Sequence, residues 1–447
     1  MNMNTVTRCQ ASNSMVIRSL SRSTSFVLAT ILSVSVIAAS AYGGDGPDAP
    51  TATPLEEAIF GGQVKFNIRA RVEIAEQDDS TTVANTNTSV AITERIRLGY
   101  GSKPYNGWSF YLEMEDIRSA DDDQYNSGGN ANGSKTVVAD REDTELNQGY
   151  IKYDWKDAST QIIFGRQRLL LDDHRFVGNV GWRQNEQTFD ALTLKMTPAQ
   201  DWAVVYSFLW DINRIFGPDA NADFDSESHL INISYDGLDL GRVTVFGYHL
   251  DFDGQAIAAA NSSDTFGIRL TGKKELDEDL ALKYAFSYAH QVDAGDGAGQ
   301  LDYKADYYFA ETILANKSGS SAGAGYEVLG SDGGMFGFRT PLATGHKFNG
   351  WADVFLTTPA GGLQDFYLLA GAKLPWNVQA KVVYHWFWSE EGGGDFGEEL
   401  DIVLKKPLSD RATALAKFAN FDGDGNAGSG STALDRYKFW LQFEYKF

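Results

Sequence analysis

The sequence predicts an all-β chain, a transmembrane antiparallel β-barrel of about 18 strands, with 16 as the alternative count. Three observations predict it. Apolar and polar residues alternate with period two along most of the chain after residue 62, a pattern a helix does not produce. No apolar run beyond residue 41 reaches the length of a membrane-spanning helix, which leaves a closed barrel as the only spanning solution. The chain also ends in an amphipathic, aromatic-rich strand whose last residue is Phe447.

The N-terminus reads as a secretory signal over residues 1–41. Arg8, Arg18 and Arg22 form its basic region, Phe26 to Ala38 its apolar core, and Ala39-Ser40-Ala41 the small residues a signal peptidase needs. That apolar core is too short for a comfortable span. Met15 is an alternative start. The single cysteine, Cys9, lies inside the signal with no apolar run before it, which argues against a lipoprotein. The mature chain is then free of cysteine, which suits an oxidising compartment. Residues 42–62, rich in Pro, Gly and Ala, form a periplasmic lead-in, and residues 63–447 form the barrel.

The first strand candidate, Gln63 to Glu76, sets Val64, Phe66, Ile68, Ala70, Val72 and Ile74 against Lys65, Asn67, Arg69, Arg71 and Glu73. Ile92, Ile96 and Leu98 likewise oppose Thr93, Arg95 and Arg97, with Glu94 an exception on the apolar face. Trp108 to Glu115, Thr265 to Thr271, Leu280 to Gln291 and Val378 to Trp388 repeat the alternation. At the end, Tyr437, Phe439, Leu441, Phe443, Tyr445 and Phe447 alternate with Arg436, Lys438, Trp440, Gln442, Glu444 and Lys446. A terminal aromatic closing such a strand resembles the signal by which the barrel-assembly machinery accepts bacterial outer-membrane barrels.

With both termini in the periplasm, short inner turns alternate with long outer loops. Forward from residue 63, short turns fall near 102–106, 156–158, 198–201, 237–239, 275–278 and 316–322, with long polar loops between them. Backward from Phe447, loops at 422–433 and 389–396 alternate with turns at 406–410 and 375–377. The two counts meet only if residues 331–363 form a single long outer loop, which gives 18 strands. Segments 159–169, 187–197 and 323–330 are the weakest strands.

Asp and Glu total 60 against 38 Lys and Arg, for a net charge of −22 over 447 residues. Loss of the signal removes three arginines and no acid, and deepens it. So acidic a chain argues against a nucleic-acid partner, and 43% hydrophobic residues argue against disorder.

A barrel of this size leaves an aqueous channel whose inward side chains set selectivity. Arg69, Arg71, Arg95, Arg97 and Arg269 sit on polar faces, the first four on adjacent strands, where a ladder of them attracts carboxylates. Glu113 and Glu115 point inward on the next strand. The arginines therefore either brace the wall alone or brace it and select anions as well. Segment 164–192 adds Arg166, Arg168, Arg175 and Arg183 with Asp172, Asp173 and His174. Three adjacent positions do not converge easily on one metal ion, so the favoured reading is a loop that folds inward and offers arginines to the pore.

This segment, with HKFNGWADVFLTTPAGGLQDFY (346–367), FANFDGDG (418–425), the first two strands and the last, is similar to the alginate-export family of outer-membrane channels. The resemblance spans essentially the whole mature chain. It implies a barrel in the outer membrane of a Gram-negative-type bacterium and a passive channel whose arginine-lined constriction conducts an anionic uronate polysaccharide. By motif position it carries that role to Arg166, Arg168 and Arg183. The short turn at Lys406–Asp410 departs from the family in leaving no room for a long periplasmic plug. The 346–367 motif falls inside the long loop that parity demands, which places His346, Lys347, Trp351 and Asp353 near the permeation path.

Asp422, Asp424 and Asn426 mimic the start of a calcium loop, but Ala427 and Ala433 stand where its Gly and Glu belong, so no metal is expected. Asp121-Asp122-Asp123 and Glu390-Glu391 read as solvated outer-loop charge facing lipopolysaccharide. No cofactor is implied. A barrel enzyme using His249 or His385 is the distant alternative. The leading expectation is a monomeric, non-enzymatic channel in the outer-membrane lipid for an anionic oligo- or polysaccharide, contacted by Arg69, Arg71, Arg95, Arg97, Arg166, Arg168, Arg183 and Arg269. A general or cation-preferring porin for small solutes is the runner-up.

Overall fold

Period-two alternation becomes the wall of a closed barrel. The computed structural model describes residues 52–78, 87–217, 222–253, 260–294, 302–424 and 434–447. The signal at 1–41 and most of the loop at 422–433 lie outside the described residues. Wall strands are β1 (Gln63–Gln77), β2 (Ser89–Gly101), β3 (Trp108–Ser119), β4 (Asp143–Trp155), β5 (Thr160–Gln167) and β6 (Thr188–Met196). They continue as β7 (Trp202–Asn213), β8 (Phe224–Leu238), β9 (Gly241–Leu250), β10 (Ser263–Glu275), β11 (Leu280–Asp293) and β12 (Lys304–Asn316). The last six are β13 (Ser321–Leu329), β14 (Leu363–Leu374), β15 (Val378–Trp388), β16 (Asp395–Pro407), β17 (Ala412–Gly423) and β18 (Arg436–Lys446). Each pairs antiparallel with its sequence neighbours, and β1 pairs with β18 from Asn67↔Lys446 to Gln77↔Arg436, closing an 18-strand barrel.

Parity fixed the count correctly. Residues 330–362 form one long connection, whose strand character is limited to a two-residue hairpin pairing Ser331 and Asp332 with Gly337 and Phe336 and a parallel bridge from Leu342 to Val177. The three weak strands are all present, as β5, β6 and β13. The alternation of β13 is obscured because its inner row carries Gly323 and Gly325. At Gly325 a Cβ would stand 2.2 Å from the ring of Tyr367, so that side chain takes the space instead.

Apolar rows face out, as a lipid-embedded wall requires. Val64, Ile92, Phe266 and Leu441 are exposed, while Arg71, Glu73, Arg95 and Glu115 on the alternate rows are buried. Aromatic pairs at the short-turn end, Trp108 with Tyr153 at 4.7 Å and Trp202 with Tyr235 at 4.8 Å, mark the membrane boundary there. Within the lead-in the structure adds an element the sequence did not announce, a helix over Pro54–Phe60. It is started by a capping box in which Thr53 and Glu56 bond each other's backbone N–H groups.

The lumen is filled from one side. Segments 168–187 and 330–362 turn inward and lie against each other, with Gly178 N–H donating to the Leu342 carbonyl at 2.9 Å and Thr344 N–H to that of His174 at 3.0 Å. Their apolar residues, among them Leu171, Val177, Phe338, Leu342 and Phe355, pack on Phe246, Tyr248, Tyr307, Phe387 and Phe421 of the wall. The wall from β18 through β1 to β3 faces them instead with charge.

Phe447 seals the barrel at its inner end. Its N–H and carbonyl exchange hydrogen bonds with Phe66 at 3.0 and 3.1 Å, and the two rings lie 5.6 Å apart. Deleting Phe447 should cost about 1–3 kcal/mol of seam stability and lower the heat-resistant folded band on unboiled gels. An unchanged folded fraction would show that the seam does not need it.

Candidate functional site

Arg69 on β1 and Arg95 on β2 stand directly opposite each other, a placement that like charges disfavour unless partners intervene. The inward loop supplies them. One guanidinium nitrogen of Arg69 donates to the carbonyls of Gly181, Trp182 and Arg183 at 3.1, 3.3 and 3.1 Å, and Glu444 lies 3.5 Å from the other. Arg95 donates to the Gln184 carbonyl at 3.2 Å and to Asn67 at 2.6 Å. Arg71 reaches Asp140, Gln442 and the Trp182 carbonyl, with its guanidinium 4.4 Å over the Trp182 ring. Arg97 pairs with Glu115 and Glu186, and Arg168 with Glu113 and Glu186. A segment without regular structure cannot satisfy its own carbonyls, and these arginines do it. Burial raises the pKa of the loop residue Glu186, but Arg97 and Arg168 outweigh it and hold the carboxyl near about 2.

Above this row lies a buried knot joining both inward segments to the seam. Arg183 donates to Glu73 at 2.9 Å and to Asp353 at 2.8 Å, and Lys438 donates to Asp353 at 2.7 Å. The His346 Nδ1–H donates to Asp353 at 2.6 Å, while Lys417 donates to His346 Nε2 at 2.7 Å. Trp182 stacks on His346 at 4.7 Å, and Lys417 sits 3.7 Å over the Trp351 ring. With one ring nitrogen donating and the other accepting, the imidazole is neutral. Burial holds it well below its ordinary pKa; Asp353 pulls it up, and Lys417 and Arg183 press it down again. Gly350 lets this segment approach the wall: its φ is +83°, and a Cβ there would stand 2.3 Å from Glu399 Oε2.

Arg269 also faces inward, paired with Asp173 at 2.8 Å, and Arg175 is pinned by Glu327 at 2.7 Å. Arg166 is a correction. Register sets it in one row with Leu112, Gly149 and Asp190, and Leu112 is 50% exposed on the outer face. It pairs there with Asp190 at 2.8 Å and does not join the lumen. Parity from Phe164, two residues earlier and 57% exposed, carries that signal. His346 and Asp353 lie in the lumen as expected, as pins of the fill, whereas Lys347 and Trp351 border an inner chamber of 280 Å³.

Two further cavities flank the segment Gly181 to Arg183. The inner one, 450 Å³, is lined by Lys65, Arg69, Arg95, Arg97, Arg168 and Lys446 against Glu113, Glu186 and Glu444. The outer one, 380 Å³, presents Arg183, Arg214, Arg339, Arg436 and Lys438 against Asp353 alone. Among the described residues the guanidinium groups of Arg214, Arg339 and Arg436 form no ion pair, although Asp223 accepts from the Arg214 backbone N–H at 2.7 Å. They lean on Phe224, Phe336 and the carbonyls of Ala352 and Asp353 instead. Sequence reasoning missed all three. Only Arg436 stood on a legible polar face, and nothing in a sequence shows that a charge lacks its partner. For metals, the described residues hold one convergent acidic group, the exposed Asp121, Asp122 and Asp123.

The alginate-export family profile matches residues 61–412. The chain belongs to the alginate-export family. The match spans the barrel from the start of β1 to the start of β17 and identifies an outer-membrane channel of the passive kind. No curated protein matches. Among solved structures, Acinetobacter baumannii OccAB4 is similar with a TM-score of 0.64 at 14% identity, covering 86% of this chain and 97% of its own. Pseudomonas aeruginosa OccK9 (OpdG) gives 0.65 at 15%, covering 87% and 100%. At such identities the likeness speaks for the fold.

Removing the Arg183 guanidinium (Arg183→Ala) takes the close partner from buried Glu73 and leaves Asp353 to Lys438 and His346, which should cost about 3 kcal/mol locally and deprotect the amides of 176–186 in hydrogen exchange. Because the seated His346 binds its proton more weakly than a released one, its seat is intact above about pH 6.5 and weakens as pH falls below that. Protection of residues 344–353, corrected for intrinsic exchange, should therefore drop between pH 7.5 and pH 5, and His346→Gln should flatten the response.

Proposed function

We propose that this channel passes an anionic oligo- or polysaccharide of the uronate class, and that the cations along its lumen select for it. The observation that carries the proposal is the outer vestibule, where, among the described residues, the guanidinium groups of Arg214, Arg339 and Arg436 form no ion pair. A paired guanidinium offers little field at a distance, whereas an unpaired one attracts a passing carboxylate strongly at close range. The inner cavity continues the cationic lining on the other side of the Gly181 to Arg183 neck. Arg69, Arg71, Arg95, Arg97, Arg168 and Arg183 serve here chiefly as braces that keep the neck open and charged, and Arg269 braces the far side. Transport is passive and non-enzymatic. The chain acts as a monomer, inserted by the barrel-assembly machinery that reads Phe447.

The 280 Å³ chamber, which holds Asp173, Glu311, Glu327 and Asp365, is the feature that favours the cation-preferring alternative. Reversal potentials in planar bilayers separate the two. At about 7 Å in water, one unit charge is worth about 0.6 kcal/mol, close to threefold in permeability. Arg214→Glu with Arg436→Glu should lower the anion-to-cation permeability ratio by at least that factor. Uronate oligomers should block the wild-type current. Cation selectivity indifferent to uronate would overturn the proposal.

A further inference from the structure

The inner rows carry a second set of cations that the braces do not use, at the periplasmic ends of the strands. Lys65 on β1 and Lys446 on β18 lie beside the seam, with Asn67 and Glu444 next along their rows. Lys381 on β15 shares its row with the buried Val383 and His385. Gln379 is register partner to both Lys373 on β14 and Lys405 on β16, so three lysines gather around one glutamine. Lys283 on β11 stands directly opposite Lys273 on β10. Alternation along each strand turns all of these side chains to the lumen.

Their neighbours make the pattern informative. Three other inward cations at this end are neutralised locally: Lys152 by Asp154 at 3.1 Å, Arg242 by Asp236 at 3.1 Å and Lys273 by Glu275 at 2.5 Å. Among the described residues, no carboxylate oxygen lies within 4 Å of Lys65, Lys283, Lys373, Lys381, Lys405 or Lys446, and all six are exposed. The remaining acids of this end, such as Asp157, Asp201, Asp277 and Asp410, lie on the turns beyond the strand ends. Stability alone would not set like charges opposite one another or leave them unpaired, since both arrangements cost free energy.

We propose that these lysines form a capture site for a polycarboxylate at the periplasmic mouth, which raises the rate at which the polymer enters from that side. The proposal rests on the anion-channel reading above and adds a site to it. A ring of flexible ammonium groups suits a polymer whose carboxylates recur along the chain, because successive residues engage different lysines without a fixed geometry. Long-range attraction at a lumen mouth acts on the association rate, which steering of this kind raises roughly tenfold or more.

The test uses the full-length channel in planar bilayers, with oligoguluronate added to one side at a time. The block association rate from the periplasmic side should exceed that from the outer side roughly tenfold at low salt, and the excess should fade as salt screens it. A variant with Lys283, Lys373, Lys381 and Lys405 each changed to Gln should lose most of the excess while the outer-side rate stays as it was. If that variant fails to insert, Lys381→Gln with Lys405→Gln should remove part of it. Equal rates from both sides in the wild-type channel, or an excess that survives both variants, would overturn the capture site and leave the anion channel standing. No block from either side would overturn both.

Discussion

Everything inside this barrel depends on pairing buried guanidinium groups with the carboxylates and carbonyls of a loop that has no structure of its own. Arg183 is the centre of that arrangement, bridging Glu73 on the wall to Asp353 on the second inward segment. Charges taken out of water are costly unless each finds good partners, and here Arg183 has two carboxylates while Asp353 has Arg183, Lys438 and His346. The loop is therefore fixed by the wall, and the wall's charges are tolerable because of the loop. Apolar packing on the opposite side, with Phe176 within 5.2 Å of both Phe246 and Tyr307, adds adhesion without direction. The ion network supplies the direction.

This division separates two roles that a list of arginines merges. A brace is neutralised by a neighbour and spends its hydrogen bonds on protein. A selecting charge keeps its field for what passes. In this protein the braces occupy the middle of the lumen, and the cations that form no ion pair among the described residues lie above and below it. A net charge of −22 conceals both, because much of the acid sits in outer loops and turns.

Much of the fold was legible because a membrane wall leaves the sequence few options. The unbroken alternation of β1 and β18 fixed which face was which, and parity alone required that residues 331–363 be a single connection. The helix over Pro54–Phe60 was not legible, since seven residues in a Pro- and Gly-rich stretch carry too little periodicity to announce it. Arg166 was misplaced because it was read by motif, although Phe164 nearby already set its parity. Arg214 and Arg339 escaped notice for a different reason. Their significance is that no carboxylate among the described residues pairs with their guanidinium groups, and that is a property of three-dimensional neighbours. Arg69 and Arg95 were legible as a ladder, but the loop carbonyls they hold were not, because hydrogen-bond demand in an irregular segment leaves no mark in the sequence.

The seam has a consequence for how the molecule assembles. Every ladder but one joins strands adjacent in sequence, so each forms by closing a loop far shorter than the chain, at modest entropic cost. The exception joins Asn67 to Glu444, 377 residues apart. Such a contact is slow to form and comes last. Until it does, Arg69 and Arg95 face each other without Glu444 between them. Closure thus relieves an electrostatic repulsion that the half-built sheet carries, and the final step of folding is favoured by the charge already laid down in the first two strands.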